Sequence, residues 1–357
     1  MVLAHRLLLI GSLCVLAGIS GCAASTESGT SGTGGSGSGG AGSGGASPGS
    51  GGSGGPSGSG GTTGGSGGSG GSIEPGGSGG SGADAAKDVG PASDVGSGSD
   101  AGKPAPKPSM GCGMPAGQTP STYVQQNVTS GGVARTYRLY LPGGYDVAKP
   151  YPLIILGHGC TGNGGTPFPI ETASKTAAIV VALKSVGSCF EYSPTGPDVT
   201  YFDDVLAQVS AGHCVDTGRV FVAGFSSGSW LSHTLGCVRA DKLRGQGNAS
   251  GNQVTLNACK GPIAAMFSHD LNDDQNSFAG AIRARDRILK SNGCTDQTIP
   301  YDYDGDPATP STCVIYQGCM PGYPVVWCPT MAPAGRPTHN NQVPISTVGF
   351  WRFWSQF

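Results

Sequence analysis

Apolar and polar side chains alternate along residues 133–141 (Val-Ala-Arg-Thr-Tyr-Arg-Leu-Tyr-Leu), which predicts a strand with one face in water. Pro142 and the glycines after it read as a turn. Four later runs, at 151–156, 179–183, 219–223 and 263–267, are short and mainly apolar. Runs of that kind fit strands buried on both faces of a parallel sheet. Between them the period becomes helical: Phe202, Val205, Leu206 and Val209 share one face, and a second helix is predicted around 278–290. A late strand is predicted at 325–327, and the aromatic-rich segment 350–357 reads as a closing helix docked on the core. Strands alternating with helices predict an α/β fold: a mostly parallel central sheet with helices on both faces.

This patterning is missing from the first 110 positions, which hold more than half of the 66 glycines. Residues 1–22 read as an export signal, with His5 and Arg6 ahead of an apolar stretch and then small residues. Its end, Ile19-Ser20-Gly21-Cys22, resembles the bacterial lipoprotein box, in which the cysteine is lipidated. Ala23 follows where an inner-membrane retention signal would place Asp, so an outer-membrane or cell-surface position is expected for a lipid-anchored chain. Residues 23–110 offer almost no apolar side chains to offset the entropy cost of ordering, and a disordered Gly/Ser/Pro-rich tether is expected. A flexible chain of that length spans roughly 50 Å. Residues 111–357 remain as one domain, expected to be monomeric. A net charge of −2 with 12% charged residues provides no basic excess for a nucleic-acid partner.

Leaving aside Cys14 and Cys22, the cysteines are Cys112, Cys160, Cys189, Cys214, Cys237, Cys259, Cys294, Cys313, Cys319 and Cys328. An even number in an exported chain predicts a disulfide-stabilised domain. The pairings expected are Cys160–Cys189, Cys237–Cys259 and Cys294–Cys328. No Cys-x-x-Cys pair occurs, which removes zinc-ribbon and thioredoxin-like chemistry. No metal or cofactor is expected.

The strongest chemical motif is Gly224-Phe225-Ser226-Ser227-Gly228, a G-x-S-x-G directly after a predicted strand. A sharp strand-to-helix turn there would strain the serine backbone, leave no room for side chains at the flanking positions and present Oγ at the sheet edge. A serine hydroxyl needs a base, and in this arrangement acid and base follow the serine in the chain. Three histidines do so: His233, inside the segment expected to form the nucleophile helix and so expected to be structural, His269 and His339. His339, in the loop after the late strand, is the expected base, and His269 is expected to shape a loop. The segment 268–274 supplies Asp270, Asp273 and Asp274, of which spacing favours Asp273 as the acid. The oxyanion donors would be the N–H of Ser227 and an N–H near Cys160 or Thr161, with Trp230 close to the substrate.

Two literal motif matches lead elsewhere. Gly157-His158-Gly159-Cys160-Thr161-Gly162 matches a dinucleotide fingerprint, but Lys184 and Ser185 stand where the ribose-binding acid belongs. Asp270, Asn272 and Asp274 alternate as calcium ligands do, but Gln275 and Ala281 occupy the Gly and Glu positions of that loop, and Pro307 breaks the similar series Asp302, Asp304, Asp306.

At these residues the chain resembles the polyhydroxybutyrate depolymerase and feruloyl esterase group of exported α/β-hydrolases. The resemblance runs from about residue 136 to 357. It is carried by Arg138 to Pro142, His158-Gly159-Cys160, Cys214-Val215-Asp216, Gly224 to Gly228, Asn292-Gly293-Cys294 and Phe350-Trp351. It implies an α/β-hydrolase fold, Ser226 as nucleophile, Asp273 as acid and His339 as base. The chain departs from the group at Asp270, where a glycine is usual, and at Pro337-Thr338 ahead of His339. The resemblance also implies hydrolysis of bulky or polymer-associated esters, either of plant cell-wall polysaccharide or of polyester. A surface-binding lipoprotein that kept the fold without turnover is the reading from another class, and a peptidase on the same scaffold is a third.

Overall fold

The computed structural model describes residues 103–252, 256 and 259–357. The export signal, Cys22 and the tether as far as residue 102 lie outside the described residues. In chain order the elements are β1 (Tyr123–Ser130), β2 (Val133–Tyr140), β3 (Tyr151–Gly157), α1 (Ile170–Ser174), β4 (Ile179–Leu183), α2 (Pro197–Gly212), β5 (Val215–Phe225), α3 (Ser227–Val238), β6 (Gly245–Ala249), β7 (Ala264–Asp270), α4 (Phe278–Asn292), β8 (Thr298–Pro300), β9 (Val314–Tyr316), β10 (Val325–Thr330) and α5 (Phe350–Trp354), the last preceded by a π-helical turn at Ile345–Gly349.

The strands form one sheet in the order β1-β2-β4-β3-β5-β6-β7-β10-β9-β8. Its centre, β4 to β10, is parallel, and antiparallel hairpins close both sides. The apolar runs are its middle strands, and every residue of β3, β4 and β7 is buried. Strand alternation divides them between two cores. Leu153, Ile155, Val220 and Val222 face α2 and α3, where they meet Phe202, Val205, Leu231 and Leu235. Ile154, Leu156, Phe221 and Ala223 face the closing segment, where they meet Phe350, Phe353 and Trp354. The segment 350–357 is therefore a docked helix, as its aromatic content predicts.

Among the parallel strands, the one with no counterpart in the hydrophobic pattern is β6, Gly-Gln-Gly-Asn-Ala. Its glycines make room for aromatic rings. A Cβ on Gly247 would lie 2.7 Å from the Phe350 ring, and one on Gly245 3.2 Å from Phe221. On the opposite face Gln246 lies against Gly236 of α3, where a Cβ would come within 2.1 Å of its amide. β6 thus carries glycines on the face that aromatic rings cover, and on the other face a larger residue, Gln246, for which α3 makes room with a glycine.

Among the described residues five disulfides are present, and Cys160–Cys189 and Cys237–Cys259 are paired as expected. The expected Cys294–Cys328 bridge is not. Cys294 pairs with Cys319, and Cys328 with Cys313. The reason is β9, a three-residue strand that pairs antiparallel with β10 in the register Val326↔Ile315 and Trp327↔Val314. Continuing that register brings Cys328 opposite Cys313 and leaves Cys294 to Cys319 at the far end of β9. The fifth bridge joins Cys112 to Cys214. The folded part also begins slightly before residue 111. Lys107 N–H donates to Asp216 (2.8 Å) and Ser109 N–H to Val215 O (2.8 Å), so residues 107–109 are held against the start of β5.

His233 of α3 is fully buried, beside Phe267. Burial, with the Arg287 charge adding to it, pushes its pKa down to about 3 from its ordinary 6.5. The imidazole is neutral in the folded protein at moderately acid pH but protonated in the unfolded chain. Stability from this residue is therefore complete above pH 6.5 and is lost as pH falls below it. His233→Leu should flatten the dependence of stability on pH between 6 and 4 by up to about 1.4 kcal/mol per pH unit. Denaturant melts at a series of pH values read this directly, and a slope identical to wild type would contradict it.

Candidate active site

Ser226 stands between the end of β5 and the first residue of α3, with φ 54° and ψ −116°. That left-handed conformation is unfavourable for a residue with a Cβ, and the packing around it shows what imposes it. A Cβ on Gly228 would lie 2.0 Å from the Gly157 carbonyl oxygen, and one on Gly224 2.1 Å from the Gly228 carbonyl carbon. The start of α3 touches β3 and β5 backbone to backbone, and the chain can reverse in so little space only through Ser226. The turn is held by the Ser226 N–H donating to Ala249 O of β6 (3.0 Å).

The other two groups arrive from the carboxyl ends of β7 and β10. His339 Nε2 lies 3.0 Å from Ser226 Oγ, and His339 Nδ1 lies 2.9 and 3.0 Å from the two Asp273 carboxylate oxygens. Burial acts to raise the Asp273 pKa, but hydrogen bonds from His339 and from the Asn276 and Gln275 N–H groups outweigh it and hold the carboxyl below its ordinary value. A carboxylate only accepts, so Nδ1 carries the proton and Nε2 presents its lone pair to the Ser226 hydroxyl. The His339 ring also lies against Phe225, with centroids 4.9 Å apart.

The competing carboxylates are placed otherwise. Asp270 is buried and accepts from the Asn272 and Ala332 N–H groups, and Asp274 is exposed. His269 spans the acid loop, its Nε2 donating to Asn276 O (2.7 Å) while 3.5 Å from Asp273. Burial lowers the His269 pKa, so at neutral pH it stays uncharged and does not compete with His339 for the carboxylate.

In the loop after β3 the N–H groups of Cys160 and Thr161 are placed differently. The Thr161 N–H donates to Ser188 O at 2.5 Å. The Gly159 carbonyl accepts from His158 Nδ1 (2.6 Å) and from the Gly162 N–H (3.1 Å). Across a trans peptide the Cys160 N–H points the opposite way. A Cβ on Gly159 would lie 3.4 Å from the Ser226 Cβ, so this peptide adjoins the serine. His158 Nε2 accepts from the Ser185 N–H (3.2 Å), and burial keeps the imidazole below its ordinary pKa, consistent with a neutral ring that fixes the loop. The Ser227 N–H opens α3, where no intrahelical acceptor exists. Trp230, one turn further on, packs edge-on to Tyr192 with centroids 5.2 Å apart.

Two depressions flank these groups. A groove of about 640 Å³ runs along residues 187–194, beginning beside Cys189, the disulfide partner of Cys160. A second, of about 490 Å³, lies on the other side of the base loop, with Asn340, Asn341, Arg336 and Tyr303 in its wall.

No family model matches the chain. It is 32% identical over 282 residues to feruloyl esterase D of Neurospora crassa, covering 71% of this chain and 92% of that protein. It is 32% identical over 189 residues to feruloyl esterase C of Emericella nidulans, covering 50% of this chain and 67% of that one. Among solved structures, the acetyl xylan esterase from Aspergillus awamori superposes with a TM-score of 0.51 at 16% identity, over 65% of this chain and 99% of that one. The protein is therefore an α/β-hydrolase-fold carboxylic ester hydrolase. Within that class, the chain belongs to the feruloyl esterase family.

Gly228→Ala tests the geometry of the turn. Its Cβ has no space against Gly157, so the variant should lose about 1–3 kcal/mol of stability and at least about 100-fold in esterase kcat/KM. A thermal melt with p-nitrophenyl acetate kinetics reads both, and near-wild-type turnover would show that the close approach is dispensable.

Proposed function

We propose that the protein hydrolyses polymer-associated carboxylic esters through a Ser226–His339–Asp273 acyl-enzyme. The observation that carries this is the unbroken hydrogen-bond line from Ser226 Oγ to His339 Nε2 at 3.0 Å and from His339 Nδ1 to Asp273 at 2.9 Å. In the first half-reaction Ser226 Oγ attacks the ester carbonyl carbon and its proton passes to His339 Nε2. The Cys160 and Ser227 N–H groups stabilise the oxyanion. Collapse breaks the acyl–oxygen bond, and the alcohol leaves with the proton from Nε2. In the second half water loses a proton to Nε2, attacks the acyl carbon and releases the carboxylic acid, returning the proton to Ser226. Asp273 stays ionised, holds the ring in its Nδ1–H tautomer and stabilises the imidazolium.

The substrate class follows from the relatives and the surface. The named relatives act on feruloyl esters or acetyl xylan, so an acyl group carried on plant cell-wall polysaccharide is the reading we favour, with polyester as the alternative acceptor of the same chemistry. The open groove at 187–194, beside the Cys160 loop, suits an acyl group presented on a chain too large to enter a closed pocket.

Export follows from the same reading, since five disulfides belong to an oxidising compartment. We place the mature chain on the cell surface, lipidated at Cys22.

Ser226→Ala should lower turnover of p-nitrophenyl acetate and methyl ferulate by about 10⁴-fold or more, and Asp273→Asn by roughly 10³- to 10⁴-fold. Equal slow hydrolysis by wild type and Ser226→Ala would end the enzyme reading. For the anchor, metabolic labelling with an alkyne fatty acid should mark the wild-type chain and not Cys22→Ala; a label on both, or on neither, would remove the lipoprotein assignment.

A further inference from the structure

Ser250 follows β6, lies outside every motif in the sequence and is fully buried. Its φ is +49°, in the left-handed region that disfavours residues with a Cβ. Each of its polar groups is engaged. Its N–H donates to Ser268 O of β7 (3.0 Å), and its carbonyl accepts from Asn276 Nδ2 (2.8 Å). Its Oγ donates to Asn340 O (2.7 Å) and accepts from Gln342 Nε2 (3.3 Å).

These partners belong to the elements that deliver the three reacting groups. Asn276 donates its backbone N–H to Asp273 Oδ1 (2.8 Å). Asn340 directly follows His339. Gln342, itself at φ +57°, is bonded through its side chain to Thr330 at the end of β10. The residue before Ser250, Ala249, accepts the Ser226 N–H (3.0 Å). His339 rides on a stretch from 331 to 344 that contains no helix or strand. Such a stretch must be tied to the sheet if an imidazole is to stay within hydrogen-bond reach of a hydroxyl.

We propose that Ser250 is the positioning residue of this active site: its hydroxyl ties the base loop to the carboxyl end of β6, while its main chain holds the nucleophile turn and the acid loop to the same point. The inference rests on the reading of Ser226, His339 and Asp273 as the reacting groups. Ser250 touches none of the reacting atoms and acts through His339 and Asp273. The left-handed backbone is retained at a serine because the hydroxyl is needed there.

Two substitutions separate positioning from folding. Ser250→Gly removes the hydroxyl and relieves the positive φ, whereas Ser250→Thr keeps the hydroxyl and worsens the strain. Ser250→Gly should melt at or above the wild-type temperature, yet lose about 10- to 100-fold in kcat on p-nitrophenyl acetate. Its KM should stay within about 2-fold, and its labelling by a fluorophosphonate should slow in step with kcat. Ser250→Thr should melt lower than Ser250→Gly but turn over faster. A purely structural residue would move stability and turnover together. Wild-type kcat in Ser250→Gly, or kcat tracking melting temperature across both variants, overturns the proposal. Ser226→Ala is assayed alongside: if it stays active, the triad reading fails; if it is dead while Ser250→Gly is fully active, only the role of Ser250 fails.

Discussion

No side chain fits between β3 and the first turn of α3. Gly157 and Gly228 meet through their backbones, and Gly224 meets Gly228 in the same way. That contact brings the helix onto the sheet and compresses the connection to one residue, Ser226, in a left-handed conformation. The hydroxyl thus stands at the sheet edge, with the uncapped N–H of Ser227 immediately beyond it. Gly159 then has to pass Phe225 and Ser226 at van der Waals distance, which sets where the Cys160 peptide lies. The chemistry on offer follows from a steric requirement met by three glycines.

Around that turn one carboxylate, Asp273, is aligned with the imidazole that faces Ser226. Asp273 is shielded from solvent yet kept ionised by three hydrogen-bond donors, while His158, His233 and His269 are held below their ordinary pKa by burial. The imidazole facing the serine is therefore the ring aligned with a carboxylate. Neutral histidines next to it serve as rigid hydrogen-bonding spacers, His158 for the loop after β3 and His269 for the acid loop.

What the sequence made legible was whatever carried a strong local signal. The apolar runs of β3, β4 and β7 announced a parallel sheet, and the G-x-S-x-G motif with the chain order of acid and base narrowed the candidate site to a few residues. Choosing Asp273 over Asp270 and Asp274 needed spacing, because all three carboxylates look alike until their backbone partners are visible. Signals that depend on neighbours were illegible. Gly245 to Ala249 carries no strand pattern because its strand character comes from the aromatic rings packed on it. Missing β9 meant missing the register that sets Cys328 opposite Cys313, and so mispairing Cys294. The bond from the Thr161 N–H to Ser188 O has no trace in the sequence either. Ser250 carries no motif at all; its importance lies in partners 18 to 92 positions away.

The hydroxyl and the imidazole that faces it are separated by 113 residues of chain. Between them lie β6, β7 and β10, each added to the sheet by a crossover. Contacts of such long range are among the slowest to form. An incompletely folded chain would present that hydroxyl without its imidazole until the last parallel strand had docked. Alignment of the two side chains thus arrives together with completion of the topology.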